Sequence, residues 1–201
     1  MIDKFDILVA GVGGQGAILT SRIIVTAALK DGFKVVSGEV HGMSQRGGSV
    51  STHVRLGEKV YGPIIPLGTA DILMGLELIE PLRYVAFISQ QGNIIMSRKK
   101  TIPPTVWTIE GLKYPSDDEV TAAIKPFAKN LFVLDSVDIA EKAGSAMTAN
   151  IVLLGTLTGI PGFPVSEKAL LEAVKENVPP KALEANVKAF NLGAEEIKKL
   201  I

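Results

Sequence analysis

The 201 residues carry 21 Lys and Arg against 21 Asp and Glu, no cysteine, 47% hydrophobic and 5% aromatic residues. At about 150 residues per domain the chain is one domain, residues 1–201, large enough to bury a core without metal or disulfide staples. Zero net charge and few aromatics speak against a protein that grips nucleic acid or anionic membrane, and the missing cysteines exclude disulfides, a catalytic thiol and thiolate-bound zinc or iron–sulfur clusters from this chain.

Phe5 to Ala10 reads as a buried strand, Gly11 to Gly16 as a turn, and Ala17 to Lys30 as a helix that is apolar on most sides and therefore buried. Asp31-Gly32 closes that helix, and Phe33 to Val40 reads as a second strand. Strand, helix and strand predict a βαβ unit with parallel pairing and a right-handed crossover. A polar glycine-rich loop, His41 to Gly48, leads to Ser49–Leu56, whose alternation predicts a half-exposed strand with His53 on the sheet surface. Gly57-Glu58-Lys59 reads as a hairpin turn into Val60-Tyr61.

Further strands are expected at Asp71–Leu78, Gly92–Ser97 and Asn130–Leu134. A helix is expected from Ile79 to Ile88, opened by Glu80-Pro81, and another from Ser116, which with Glu119 forms a capping box, through Ala128, with a bend or an end near Pro126. Val137–Ala143 reads as a helix. From Ala146 the chain is helical to its end, broken at 159–164 and 178–180. The result is a three-layer α/β fold with a largely parallel sheet, a β-hairpin insertion and a C-terminal helical segment (α/β to about 143, helices from about 146). The N-terminal MIDKFDILVA lacks the basic start and cleavage site of a signal peptide, and the apolar stretch from Ile151 to Ile160 is too short to span a bilayer, so no membrane association and a cytoplasmic location are expected.

Two stretches carry chemistry. Gly11-Val-Gly13-Gly14-Gln15-Gly16 between strand and helix matches the Rossmann-like G-x-G-x-x-G turn, whose exposed amides attract an anion. Glu39 lies roughly 20 residues past the last glycine, where a dinucleotide site places its ribose-binding acid. A self-contained NAD-dependent oxidoreductase is therefore one reading of the turn, and a sharp packing turn is another. The segment after Glu39 departs from a dinucleotide fold, because it enters a loop and not a second crossover helix. That loop gathers Glu39, His41, Ser44, Gln45 and Arg46 between glycines, next to the first turn. Arg46 is suited to a phosphate or carboxylate, Ser44 and Gln45 to a ligand or partner chain, and His41 is the one titrating group nearby. A non-enzymatic adaptor whose loops only touch other proteins is a third reading. Trp107 reads as a packing or interface anchor, and Met43 as an interface contact.

Together, GVGGQG and GEVHGMSQRGGSVSTHVRLG resemble the gamma-type domain of the 2-oxoacid:ferredoxin oxidoreductases, with EVHGMSQRGGSV most similar to the indolepyruvate branch. Val60 to Pro66, Ala70-Asp71, Glu77, Glu80 to Tyr84, Asn93, Ile102 to Pro104, Asn150, Leu154-Gly155, Asn186, Phe190 and Gly193 continue the resemblance over nearly the whole chain. It implies an accessory subunit with no catalytic residue and no metal site of its own. The complex would decarboxylate indolepyruvate or another arylpyruvate on thiamine diphosphate with Mg2+, pass the acyl group to coenzyme A, and send electrons through iron–sulfur clusters to ferredoxin. A large partner subunit would hold the thiamine diphosphate and the clusters, and the isolated chain would be inactive and able to form a homodimer. The resemblance associates this domain with the coenzyme A side of the site, for which the glycine turn (Gly11, Gly13, Gly14, Gln15, Gly16) and Arg46 are the candidate binding residues.

Overall fold

The computed structural model describes residues 2–42, 47–103 and 105–201. Its centre is a six-stranded sheet of order β2-β3-β1-β4-β5-β6. β1 (Phe5–Val12), β4 (Ala70–Gly75), β5 (Ile88–Ser97) and β6 (Asn130–Leu134) are parallel, whereas β3 (Ser49–Leu56) runs antiparallel to both β1 and β2 (Val35–His41).

The period-two alternation of a strand sorts its side chains onto two faces. Ile7 and Val9 of β1, with Ile72 and Met74 of β4 and Ile95 of β5, join a core built with α1 (Ala17–Lys30), α5 (Ser136–Ala143), α6 (Ala149–Thr156), α7 (Glu167–Asn177) and α8 (Leu183–Leu200). Leu8, Ala10, Leu73, Ile94 and Met96 join the opposite core, closed by Ile65, Leu78 and the helix α4 (Asp117–Ile124). The fold is thus three-layered α/β. The helices after residue 146 are not an appendage, because they supply most of one layer. α6 and α8 cross so closely that a Cβ on Gly193 would stand 2.0 Å from the Val152 carbonyl oxygen, and one on Gly155 would stand 2.1 Å from that of Phe190.

Several local expectations hold for evident reasons. α1 and β6 have the expected bounds, and the Ser116–Glu119 capping box opens α4. Pro126 falls in the single 3-10 turn that ends it.

Others are corrected. β1 and β2 run in the same direction but do not pair, since β3 is inserted between them and bonds both. The hairpin is β2–β3, not β3 with Val60-Tyr61. After β3 the amides of Gly57, Glu58 and Lys59 donate to the carbonyls of Lys34, Ile2 and Asp3, so the chain is spliced onto the approach to β1 instead of turning back. β3 is buried on both faces and not half-exposed, because α1 covers one side and the 62–65 segment the other. Arg55 holds that segment, donating to the carbonyls of Gly62 and Ile64 at 3.0 and 3.2 Å while its Nε pairs with Asp6 at 2.8 Å. β4 ends at Gly75, and the expected helix from 79 to 88 is one α-turn, α2 (Glu80–Arg83), followed by a 3-10 turn at Val85–Phe87. The 102–116 connection contains one further short helix, α3 (Thr105–Thr108).

Candidate functional site

The glycine turn leaves the carboxyl end of β1, where sheets of this kind place ligands. Gly14 and Gly16 adopt φ of +96° and +86°, a left-handed geometry that only glycine takes without strain. Gly16 is the N-cap of α1, so no side chain caps the helix, and its first turn holds no acid. Its leading amides therefore carry the positive end of the helix dipole with no internal counter-charge. They border a cleft of about 420 Å³ with a mostly apolar lining that includes Gly13, Gly14, Ala17, Ile18, His41 and Val50. The space above Gly14 is open, with no heavy atom within 4 Å of where a Cβ would stand.

The expected residues divide on closer view. Gly13 donates its amide to the Gly48 carbonyl at 2.8 Å, and Gln15 donates its own to Val12 at 3.0 Å. Among the described residues, the amides of Gly14 and Gly16 meet no acceptor. The Gln15 side chain does not reach into the cleft: its Oε1 accepts from the Val12 amide at 2.9 Å and its Nε2 donates to Thr101 Oγ1 at 2.8 Å. Gly11 belongs to β1, and a Cβ there would lie 3.1 Å from both Gln15 and Leu76, so its task is packing.

His41 lines the cleft beside Val50, and among the described residues its ring meets only the Gly42 carbonyl, at a long 3.5 Å. Glu39 is exposed on the edge strand, opposite Thr52, which in turn faces Val9. Two strand spacings, roughly 10 Å, thus separate it from β1. It cannot close a dinucleotide site on the turn, and the inserted β3 is the reason. Ser44, Gln45 and Arg46, with Met43, lie outside the described residues.

His53 is not on the surface. It is 2% exposed, its Nδ1 accepts from the Ile65 amide at 3.2 Å, and its ring meets Phe87 edge-on. Burial, reinforced by the Arg55 charge, holds its imidazole below the ordinary range, while Asp6 acts weakly the other way.

Beside the cleft lies a polar cluster that the sequence did not single out as a site. Glu77 is fully buried: its Oε1 accepts from the amides of Ile79 and Glu80 at 2.9 and 2.7 Å, and its Oε2 from the Tyr114 hydroxyl at 2.8 Å and, at a long 3.4 Å, from the Thr101 amide. Glu80, 3% exposed, accepts from Ser49 Oγ and pairs with Arg83 Nε at 2.9 Å; Ser49 Oγ also lies 2.9 Å from the Tyr84 hydroxyl. Burial pushes the Glu80 carboxyl up and the Glu77 charge adds to the push, whereas Ser49 and Arg83 draw it back. Burial and the Glu77 hydrogen bond push the Tyr114 phenol up as well, so it remains a donor. The signal in the sequence is two acids three residues apart in an otherwise apolar stretch, at positions shared with the resembled family.

Residues 6–196 match the pyruvate ferredoxin/flavodoxin oxidoreductase family. The chain belongs to that family. It is 40% identical over 199 residues to the indolepyruvate oxidoreductase subunit IorB of Pyrococcus horikoshii, covering 98% of each chain, and 42% identical over 190 residues to the subunit of the same name from Archaeoglobus fulgidus, covering 94% of each. Among solved structures it resembles the keto/oxoacid ferredoxin oxidoreductase gamma subunit of Geobacter sulfurreducens, with TM-score 0.71, 26% identity, and 97% of this chain and 99% of that one covered. With TM-score 0.74 and 20% identity, the whole of it shares the fold of 32% of the 2-oxoglutarate:ferredoxin oxidoreductase chain of Magnetococcus marinus. The protein is an accessory subunit of a 2-oxoacid:ferredoxin oxidoreductase, a class of multi-subunit oxidoreductases that use thiamine diphosphate and iron–sulfur clusters.

The chain's own residues do not fit an iron–sulfur cluster. It has no cysteine, and among the described residues no three His, Asp or Glu side chains are grouped to hold a metal ion. Nor is any helix of the described residues long and apolar enough to cross a membrane. At the sheet end that bears the cleft, Trp107 is 74% exposed, with Ile109 and Leu112 also exposed nearby in sequence.

Proposed function

We propose that this subunit serves an indolepyruvate or arylpyruvate oxidoreductase as a single gamma-type domain, residues 1–201, whose cleft receives an anionic group of coenzyme A. The observation that carries this reading is the uncapped α1 N-terminus opening into the cleft with no acid in its first turn. The Gly14 and Gly16 amides would hold a phosphate there, with Arg46 as the cation that a phosphate or carboxylate suits. His41 would border the ligand, and Ser44 and Gln45 would serve the ligand or the partner chain. Gly11, Gly13 and Gln15 shape the turn from beneath.

A larger partner chain would carry the thiamine diphosphate, its Mg2+ and the iron–sulfur clusters. Thiamine diphosphate supplies decarboxylation of the 2-oxoacid, and the clusters supply one-electron transfer to ferredoxin. This chain's residues bind, orient and close the site; none takes or gives a proton to the reacting atoms. Trp107 does not pack in this chain's own core, which supports its reading as an anchor toward the partner. The 40% identity to an IorB subunit supports indolepyruvate as the 2-oxoacid, and the soluble composition supports a cytoplasmic site of action.

Reconstitution tests the reading. Alone, the chain should oxidise no 2-oxoacid; mixed with its thiamine-bearing partner, it should restore coenzyme A-dependent reduction of viologen by indolepyruvate. Failure to associate with that partner, or NAD binding by the isolated chain, would overturn it.

A further inference from the structure

The buried polar cluster closes a circuit of hydrogen bonds between the glycine turn and the start of β3, whose Val50 lines the cleft. From the glycine turn, Gln15 reaches Thr101, whose amide meets Glu77; Glu77 receives the Glu80 amide; Glu80 receives Ser49 Oγ; and Gly48, the neighbour of Ser49, accepts from the Gly13 amide of the same turn. The turn is therefore tied to the polar loop twice, once directly and once through two carboxylates that reach neither solvent nor cleft lining.

Packing does not require this arrangement. A buried carboxylate without a fully compensating partner costs stability, and Arg83, the cation paired with Glu80 among the described residues, is itself half-exposed. Hydrogen-bonded networks of this kind fix relative positions in a way that apolar contacts do not.

We infer that Glu80 is a positioning residue for ligand binding: through Ser49 it holds the β3 end of the polar loop, and through Glu77 and Thr101 it is tied to Gln15, so that together they set the spacing between the two walls of the cleft. The inference rests on the reading that the cleft receives an anionic group of coenzyme A. Among the described residues, the groups that face Glu80 are Ser49 from β3, with Tyr84 behind it, Arg83 on its own helix, Glu77 from the preceding turn, and Tyr114 from the approach to α4. Ionised, Glu80 accepts from Ser49 with full charge. Protonated, it keeps its volume but loses that acceptor strength and its hold on Arg83. Because burial disfavours the charge, Glu80→Gln removes the ionic hold without leaving an unpaired buried charge, and the fold should survive it.

The experiment uses the reconstituted complex for kinetics and the full chain for hydrogen exchange. Glu80→Gln and Ser49→Ala should each raise the KM for coenzyme A about fivefold, the worth of one net hydrogen bond, while kcat changes by less than about twofold. In the wild type the KM should rise as pH falls through the weakly acidic range, and Glu80→Gln should flatten the part of that rise due to the protein. The comparison is between variant and wild type, because the phosphomonoester of coenzyme A itself titrates near pH 6.

In both variants the Gly13 amide should exchange faster while the amides of α6 and α8 keep their protection. An unchanged KM and pH profile in Ser49→Ala, which removes a single hydroxyl, overturns the inference even if Glu80→Gln does not assemble. So does faster exchange at Gly13 with no change in KM. If the wild-type chain restores no activity, the binding reading fails instead, while exchange at Gly13 still shows whether Glu80 positions the turn.

Discussion

Glycine performs opposite tasks in two regions of this molecule. At the cleft, Gly14 and Gly16 are needed for what they leave open: backbone amides, a left-handed turn, and empty space above Gly14. At the α6–α8 crossing, Gly155 and Gly193 are needed for what they allow to close, since carbonyl oxygens occupy the place of their absent side chains. The first region is held by hydrogen bonds between side chains and loops, the second by backbone packed on backbone. A glycine motif therefore says little until its surroundings are known.

The largest expected effect breaks the packed region. Gly193→Ala or Gly155→Ala forces a methyl group onto a backbone oxygen that cannot move alone, so α6 and α8 must separate. A loss of about 3 kcal/mol is expected, measured as a fall in the urea midpoint at an unchanged slope, with the cleft's ligand affinity little altered in whatever fraction stays folded.

An intermediate effect is expected at the turn. Gly16→Ala imposes left-handed strain of about 1–2 kcal/mol and brings a Cβ within 2.7 Å of Asn150 Nδ2, which must abandon its 3.2 Å hydrogen bond to Thr20. Here stability should fall less than at Gly193 and the KM for coenzyme A should rise more. Equal loss of stability and unaltered KM would erase the contrast between the regions.

The smallest effect concerns pH and the polar face of β3. His53 is held neutral by burial and by its bond from Ile65. The unfolded chain takes up a proton below about pH 6.5 that the folded chain resists, so stability should decline as pH drops through that value and level off below the folded-state pKa. His53→Gln keeps an acceptor and removes this titration. Urea midpoints at pH 7.5 and 5.5 should then differ less for the variant than for the wild type. Glu80 acts in the opposite sense, its raised pKa favouring the folded state as pH falls, which is why the informative quantity is the difference between variant and wild type.

Much of the architecture was legible in linear patterns. The short apolar runs ILVA and NIIM, the capping box at Ser116, and the proline and glycine breaks in the last third each report an interaction among residues close in the chain. The pairing of distant strands left no such trace. The same sequence from Phe5 to Val40 is compatible with β2 beside β1 or one strand removed, and inserting β3 is what exiles Glu39 to the edge and buries His53. Likewise the two acids near α2 are visible as letters, but their union with Ser49, Thr101, Tyr114 and Gln15 joins residues up to 86 apart in the chain.

Local propensity and the glycine turn thus follow from short-range sterics and hydrogen bonding, and the family follows from two motifs that no packing rule would produce together. Which amides stay free, which glycines are filled by a neighbour's backbone, and which polar groups meet are consequences of long-range contact. Those contacts depend on how whole layers settle against one another, and no window of consecutive residues contains that information.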